Sequence, residues 1–109
     1  MTDMTDQPRG LLLVMMDVAP EDEAELNRWY DEQHLPERAG CPGFLTARRF
    51  MAVDGTPKYL ALYDLESVQV LDSPAYRQLL EFPSPWTKEI GSLLTGNKRQ
   101  VFVEITEDH

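Results

Sequence analysis

Residues Gly10–Val18 read GLLLVMMDV, and the conformation of this run decides the fold. A run this apolar suits either a buried strand or a buried helix, and periodicity alone does not separate the two. Pro20 closes it after only nine residues, which favours a strand. Leu11, Leu13 and Met15 then share one face, and Leu12, Val14 and Met16 share the other. A strand apolar on both faces is buried on both faces, so something must cover each side of the sheet it belongs to.

Downstream, Pro20 suits the first turn of a helix, where its missing N–H is not needed. Glu21, Asp22 and Glu23 follow where the helix dipole favours negative charge. Pro36 disfavours helical geometry at Leu35, so this helix is expected to end near His34, with residues 37–42 (ERAGCP) as a loop. Residues 43–53 (GFLTARRFMAV) read as a second strand, with Phe44, Thr46, Arg48 and Phe50 on one face and Leu45, Ala47, Arg49 and Met51 on the other. Asp54-Gly55 is a hairpin signal leading to a third strand over residues 58–65 (KYLALYDL). Ser67 is placed to cap a short turn through Leu71. Ser73-Pro74 and Ser84-Pro85 each start a helix, the first ended by Pro83 and the second capped by Gly96. Residues 100–106 (QVFVEIT) alternate as the last strand.

The order is β-α-β-β-α-β, the ferredoxin-like plan of the α+β class. Four antiparallel strands carry both helical segments on one face and leave the other bare. The first strand makes that bare face apolar, and a monomer exposing it would be unusual. Two chains stacking their sheets face to face, a homodimer, is the economical solution. The domain is expected over residues 10–106, with tails at 1–9 and 107–109.

The composition fits one globular domain: 109 residues, 42% hydrophobic and 27% charged. Ten Lys and Arg stand against 19 Asp and Glu, a net charge of −9. That balance argues against nucleic acid and against an anionic membrane surface. Much of the acid lies in the first six residues, in Glu21–Glu25 and in Glu104–Asp108, so a pocket can still be locally neutral or basic. The single cysteine, Cys41, forms no intrachain disulfide, and the polar, acidic N-terminus lacks the order of a signal peptide. The expected location is the cytoplasm. One cysteine and two distant histidines give no zinc spacing, and there is no phosphate loop or dinucleotide fingerprint. No metal or cofactor is expected.

The chemistry-bearing residues gather in the first helix. Leu26, Trp29, Tyr30 and His34 fall at i, i+3, i+4 and i+8, one helical face. Asp31, three residues before His34, is placed to fix the imidazole tautomer. A histidine so placed serves either as a general acid/base or as a packed residue satisfying helix-end carbonyls. Trp29, Tyr30, Tyr59, Tyr63 and Trp86 are candidate pocket walls, with most aromatics of such stripes belonging to the core. Of the mid-strand pair Arg48 and Arg49, one is expected to face the helices and the other the dimer interface. Each needs an anion, from Asp17 or Asp64 or from a ligand. Arg48 is the one assigned to substrate. Cys41 reads as a plain loop cysteine.

The segment WYDEQHLPE (residues 29–37), then PGF (42–44), ARRF (47–50), the Asp54-Gly55 hairpin and PKYLALYDLES (57–67) resembles the EthD-like branch of the dimeric α+β barrel superfamily over roughly residues 10–106. The resemblance implies a small dimer with a ligand pocket between sheet and helices. It implies chemistry of the superfamily's range: cofactor-free monooxygenases, polyketide cyclases, muconolactone isomerases and haem-degrading enzymes. Haem-using relatives ligate iron through a histidine on the second helical region, and residues 67–96 contain none.

The expected function is cofactor-independent acid/base chemistry (isomerase, cyclase, lyase or monooxygenase type) on a small apolar oxygenated molecule in a degradation or biosynthesis pathway. His34 would act as acid/base and Asp31 as its orienting group. Two alternatives stand beside it. One is a non-catalytic ligand-binding or accessory protein of the same fold. The other is haem binding through His34.

Overall fold

Gly10–Val18 forms strand β1, over the range expected from its sequence. The structure, a computed structural model, describes residues 7–106; of the tails expected at 1–9 and 107–109, residues 1–6 and 107–109 lie outside the described residues. β1 is a central strand, flanked by β3 (Tyr59–Leu65) and β4 (Leu94–Val103), and β2 (Phe44–Met51) pairs with the far side of β3. The order is β2-β3-β1-β4 and every pairing is antiparallel. Helical segments cover one face, as the ferredoxin-like plan requires.

Alternation along β1 and β3 sorts the two faces. Leu12, Met16 and Val18 of β1 and Tyr59, Ala61, Tyr63 and Leu65 of β3 point to the helices and are buried. Full burial of a side chain such as Leu12 contributes roughly 1.5–3 kcal/mol. The opposite face carries Leu11, Leu13 and Met15 beside Leu60 and Leu62, all partly exposed. Phe50 and Phe102 extend it to the outer strands and are 43% and 39% exposed. The centre of the bare face is apolar, as expected, with Thr46, Arg48, Asp64, Lys98 and Gln100 around it.

The first helical region departs from expectation. A 3-10 turn (Pro20–Asp22) leads into α1 (Glu23–Trp29), with acids at the start of both. The chain then winds as a π-helix over Tyr30–His34 and continues as α2 (Leu35–Ala39). Pro36 therefore does not end the helix. The Leu35 amide reaches back five residues to the Tyr30 carbonyl. This widened turn relieves the clash a proline ring otherwise makes with the carbonyl four residues earlier, and no N–H is demanded of Pro36. Residues 37–39 are helical rather than loop, and Gly40 ends the segment.

In the second region a 3-10 segment (Val68–Asp72) precedes α3 (Pro74–Glu81) and α4 (Pro85–Leu93). The Ser73 side chain accepts from the Tyr76 amide and the Ser84 side chain from the Thr87 amide, the two caps expected. Ser67 makes no such side-chain bond. α4 stops at Leu93, and Leu94 is already extended (φ −68°, ψ 129°). Gly96 is therefore not a helix cap: it lies within β4, opposite Asp17.

β2 carries a bulge. Phe44 pairs with Leu65 and Thr46 with Asp64, leaving Leu45 extra. The bulge breaks the strict alternation read from the sequence. Phe44 joins Ala47 and Arg49 on the helix face, 5.7 Å by ring centroid from both Tyr63 and Tyr76. Thr46, Arg48 and Phe50 take the bare face. Just before it, Gly43 has φ +93°, and a Cβ there would collide with the Val70 side chain. Only glycine meets both demands.

Candidate functional site

The buried stripe of the first helix runs one turn further than its sequence suggested. Leu26, Trp29 and Tyr30 are buried, His34 is partly buried, and Arg38 on α2 is only 8% exposed. The His34 imidazole stacks on the Trp29 indole at 4.2 Å with an interplanar angle of 25°, and meets the Tyr30 ring edge-on at 5.2 Å. Trp29 Nε1 donates to Thr87 Oγ1 (3.2 Å), and Gln33 Nε2 donates to Ser84 Oγ (2.6 Å) and Thr87 Oγ1 (2.8 Å). The π segment is thereby tied to the start of α4.

From the sheet, Arg49 and Tyr63 rise against this stripe. The Arg49 guanidinium lies 4.0 Å from the centroid of the Tyr30 ring and 5.3 Å from that of Tyr59. Its Nη1 donates to Asn27 Oδ1 at 2.9 Å. Among the described residues no carboxylate pairs with it. Arg38 Nη1 donates to Glu37 Oε1 (2.9 Å), and its guanidinium lies 5.6 Å from the Tyr76 ring centroid. The Tyr30 hydroxyl donates to Met16 Sδ at 3.6 Å.

Four polar atoms in this seam are shut off from solvent with no hydrogen-bond partner: His34 Nδ1, Arg49 Nε, Arg49 Nη2 and the Tyr63 hydroxyl. Leaving such groups unpaired costs roughly 1–3 kcal/mol each, more for a charged one. Burial, then the Arg38 and Arg49 charges, push the His34 pKa down to about 3, so the imidazole is neutral at physiological pH. Burial pushes the Tyr30 hydroxyl up to about 12 against the pull of Arg49 and Arg38. Burial, reinforced by Tyr30, raises the Tyr63 hydroxyl as well. The seam thus combines neutral donors and acceptors with two cations, and only Arg38 has a carboxylate beside it.

The structure brings together Trp29, Tyr30, His34 and Tyr63 of the residues singled out from the sequence, with Tyr59 at the Arg49 end. The others lie elsewhere. Asp31 is exposed, and no hydrogen bond joins it to His34 among the described residues, whose Nδ1 has no partner. The wider π turn places Asp31 beside Leu35, Pro36, Ala39 and Ala47, where the five line a cavity of about 290 Å³. Arg48 is on the bare face, 3.4 Å from Asp64, because the Leu45 bulge sets the phase of β2. The Trp86 indole donates to Glu25 Oε2 (2.9 Å) and lies under Arg28, so it serves the α1–α4 contact. The Tyr59 hydroxyl donates to Glu23 Oε1 (2.6 Å). Cys41 is buried in the core, and burial raises its thiol pKa. Arg38, Arg49 and Asn27 are the residues sequence reasoning did not assign to the site. Arg38 stands four residues after His34, and the spacing 26, 30, 34, 38 would have shown it had Pro36 not been taken as a stop.

A second cavity, about 270 Å³, opens at the edge of β2 between Asn27, Arg49, Phe50, Met51 and Tyr59. A third, about 440 Å³, lies on the bare face between Arg9, Gly10, Leu11, Asp64, Phe102, Val103 and Glu104. No helix among the described residues is long and apolar enough to cross a membrane.

No family model matches the chain, and no curated protein matches it significantly in sequence. Solved structures do match. One is a dimeric ferredoxin-like protein from an uncultured marine organism, with a TM-score of 0.70 and 16% identity over 96% of this chain and 95% of that one. Another is a candidate antibiotic biosynthesis monooxygenase from Bordetella bronchiseptica, with a TM-score of 0.67 and 21% identity over 93% and 99%. The fold they share with this chain is ferredoxin-like. The haem degrader MhuD of Mycobacterium tuberculosis, solved with two haems in its active site, shares it at a TM-score of 0.64 and 16% identity over 92% and 99%. At these identities the likeness extends to the fold alone. Residues 67–96 hold no histidine, and His34 is stacked on Trp29 with Nδ1 enclosed.

Proposed function

We propose that the chain is an EthD-like homodimer that takes a small, largely apolar, oxygenated molecule between its helices and sheet. There it carries out proton-transfer chemistry without a cofactor, of isomerase, cyclase, lyase or monooxygenase type. The observation that carries this reading is the set of partnerless polar atoms on His34, Arg49 and Tyr63 within an otherwise apolar seam. A protein that needed only a packed core gains nothing from them. His34 is the proton-transfer group. As a neutral imidazole it accepts a proton; burial is the main cause of its depressed basicity, and a bound oxygen anion would offset only the part that comes from Arg38 and Arg49. Tyr63 donates a hydrogen bond to the substrate oxygen. Asp31, exposed on the outer side of the helix, is left without a catalytic part.

The dimer follows from the bare face, where Leu11, Leu13, Met15, Leu60, Leu62, Phe50 and Phe102 form one apolar surface. Stacking two such faces is how the surface leaves water. That one fold neighbour is described as dimeric supports the reading.

The test is to screen the purified protein against oxygenated aromatic and polyketide-like compounds by thermal shift, then analyse each stabilising compound for conversion. Conversion by the wild type and at least a hundredfold loss in His34→Ala, with the dimer intact, is expected. Conversion retained in His34→Ala removes His34 from the mechanism. A specific observation favours a second reading, non-catalytic binding: an imidazole with a pKa near 3 is a weak base in the free protein. Ligands that bind and are recovered unchanged would establish it.

A further inference from the structure

The Arg49 guanidinium is half used. Nη1 is taken by the Asn27 side-chain oxygen, while Nε and Nη2 have no partner. These two nitrogens form one edge of the guanidinium plane, from which two N–H bonds project in parallel. That edge matches the two oxygens of a carboxylate. The guanidinium carbon also lies 4.0 Å from the centroid of the Tyr30 ring and 5.3 Å from that of Tyr59. The unsatisfied part of Arg49 is therefore the part that recognises a planar anion, and the protein supplies no carboxylate to it among the described residues.

Arg49 also forms a wall of the cavity of about 270 Å³ whose other walls are Asn27, Phe50, Met51 and Tyr59. This is close to the lower end of small-molecule pocket sizes, roughly 300 Å³. Phe50, Met51 and the Tyr59 ring give it apolar sides, with Arg49 and Asn27 as the polar groups. A carboxylate entering there meets the guanidinium after a turn of the flexible Arg49 side chain. The apolar part of the same molecule stays against the cavity walls.

We propose that the ligand of this protein is a carboxylic acid with an apolar body, its carboxylate held in two-point contact by the Nε and Nη2 edge of Arg49. This rests on the reading of the seam as a small-molecule site and names the class of molecule it takes.

The probes are a matched pair, 3-phenylpropionate and its uncharged amide, titrated by calorimetry into the full chain and into Arg49→Lys, Arg49→Met and the exposed-site control Arg77→Met. The acid is expected to bind the wild type at least tenfold more tightly than the amide. Arg49→Lys, which keeps the charge and loses the two-point edge, is expected to weaken the acid about tenfold. Arg49→Met should abolish the difference between acid and amide, and Arg77→Met should change neither. A melting curve on each variant establishes that it is folded. Binding of both probes with equal affinity, or an acid preference surviving Arg49→Met, overturns the carboxylate assignment and leaves the small-molecule site standing. Binding of neither probe also overturns it, and the compound screen then decides separately whether the seam binds anything.

Discussion

Arg48 and Arg49 are adjacent in sequence and opposite in circumstance. Arg48 lies on the bare face of the sheet, exposed and paired with Asp64, while the Thr46 hydroxyl donates to the same carboxylate. Arg49 lies on the helix face, half-buried between tyrosine rings, with a neutral amide as its only hydrogen-bond partner among the described residues. The bare face exposes apolar side chains and pairs Arg48 with Asp64. Over β1 and β3 the helix face buries its apolar side chains, and it leaves polar atoms of Arg49 and Tyr63 unsatisfied. Exposed apolar surface calls for a partner surface; buried unsatisfied polarity calls for a ligand. The two faces of one sheet therefore point to two different occupants.

Substitutions can break this contrast in order of size. Leu13→Asp puts a charge in the middle of the bare face, where stacking two sheets would desolvate it. Sedimentation at micromolar concentration should show a folded monomer in place of a dimer, and a variant that still sediments as a dimer would place the interface elsewhere. The next effect is on the helix face, through pH. The folded-state pKa of His34, about 3, lies below the ordinary value of 6.5 that it regains on unfolding, so the unfolded chain binds the proton first. The contribution of His34 is fully present above about pH 6.5 and is lost as pH falls toward 3, at up to about 1.4 kcal/mol per pH unit. Comparing urea midpoints of wild type and His34→Gln isolates this from the carboxylates. Equal acid slopes in the two proteins would mean that the imidazole is not held neutral.

The arginine pair gives the third effect. Replacing a buried charge that lacks an ionic partner by an apolar side chain should stabilise the free protein, by about 1–3 kcal/mol for Arg49→Met. The same change at Arg48 should stay within about 1 kcal/mol, as for exposed ion pairs. A destabilised Arg49→Met protein would show that the tyrosine faces and Asn27 already satisfy the cation. Smallest is Tyr63→Phe, which deletes a hydroxyl that has no partner. The expected change in unfolding free energy is between zero and a gain of about 1 kcal/mol, and a loss of that size would reveal a bond made by the hydroxyl in solution.

Much of this architecture is legible in the chain. β1, the hairpin and the caps at Ser73 and Ser84 follow from apolar runs and turn chemistry, which are local. The misreadings share a different cause. The bulge at Leu45 has no local signature, because it is set by Phe44 packing against Tyr63 and Tyr76 across the core. The greater part of β4 (LTGNKRQ) does not alternate as a half-buried strand should, since the edge strand is partly or fully exposed throughout. Pro36 is the reverse case, a strong local stop overridden by a wider turn. Two of these set part of the candidate site: the bulge moved Arg49 in and Arg48 out, and the passage through Pro36 added Arg38 and set Asp31 aside. His34, Trp29 and Tyr30 were legible because a helical stripe is a local pattern.

The π turn at Tyr30–His34 also bears on how this chain can be compared with others. A π turn is what one extra residue makes of an α-helix. Removing one residue from it would rotate everything beyond by about 100°, carrying Arg38 away from the seam and presenting a neighbouring residue instead. Two chains of this fold, one with the extra residue and one without, would agree up to Trp29 and again at β2, yet differ in which side chain faces the ligand. A gap-free alignment through this turn would match Arg38 to a residue of the wrong side, so correspondences here are safer when drawn from superposed backbones than from motifs.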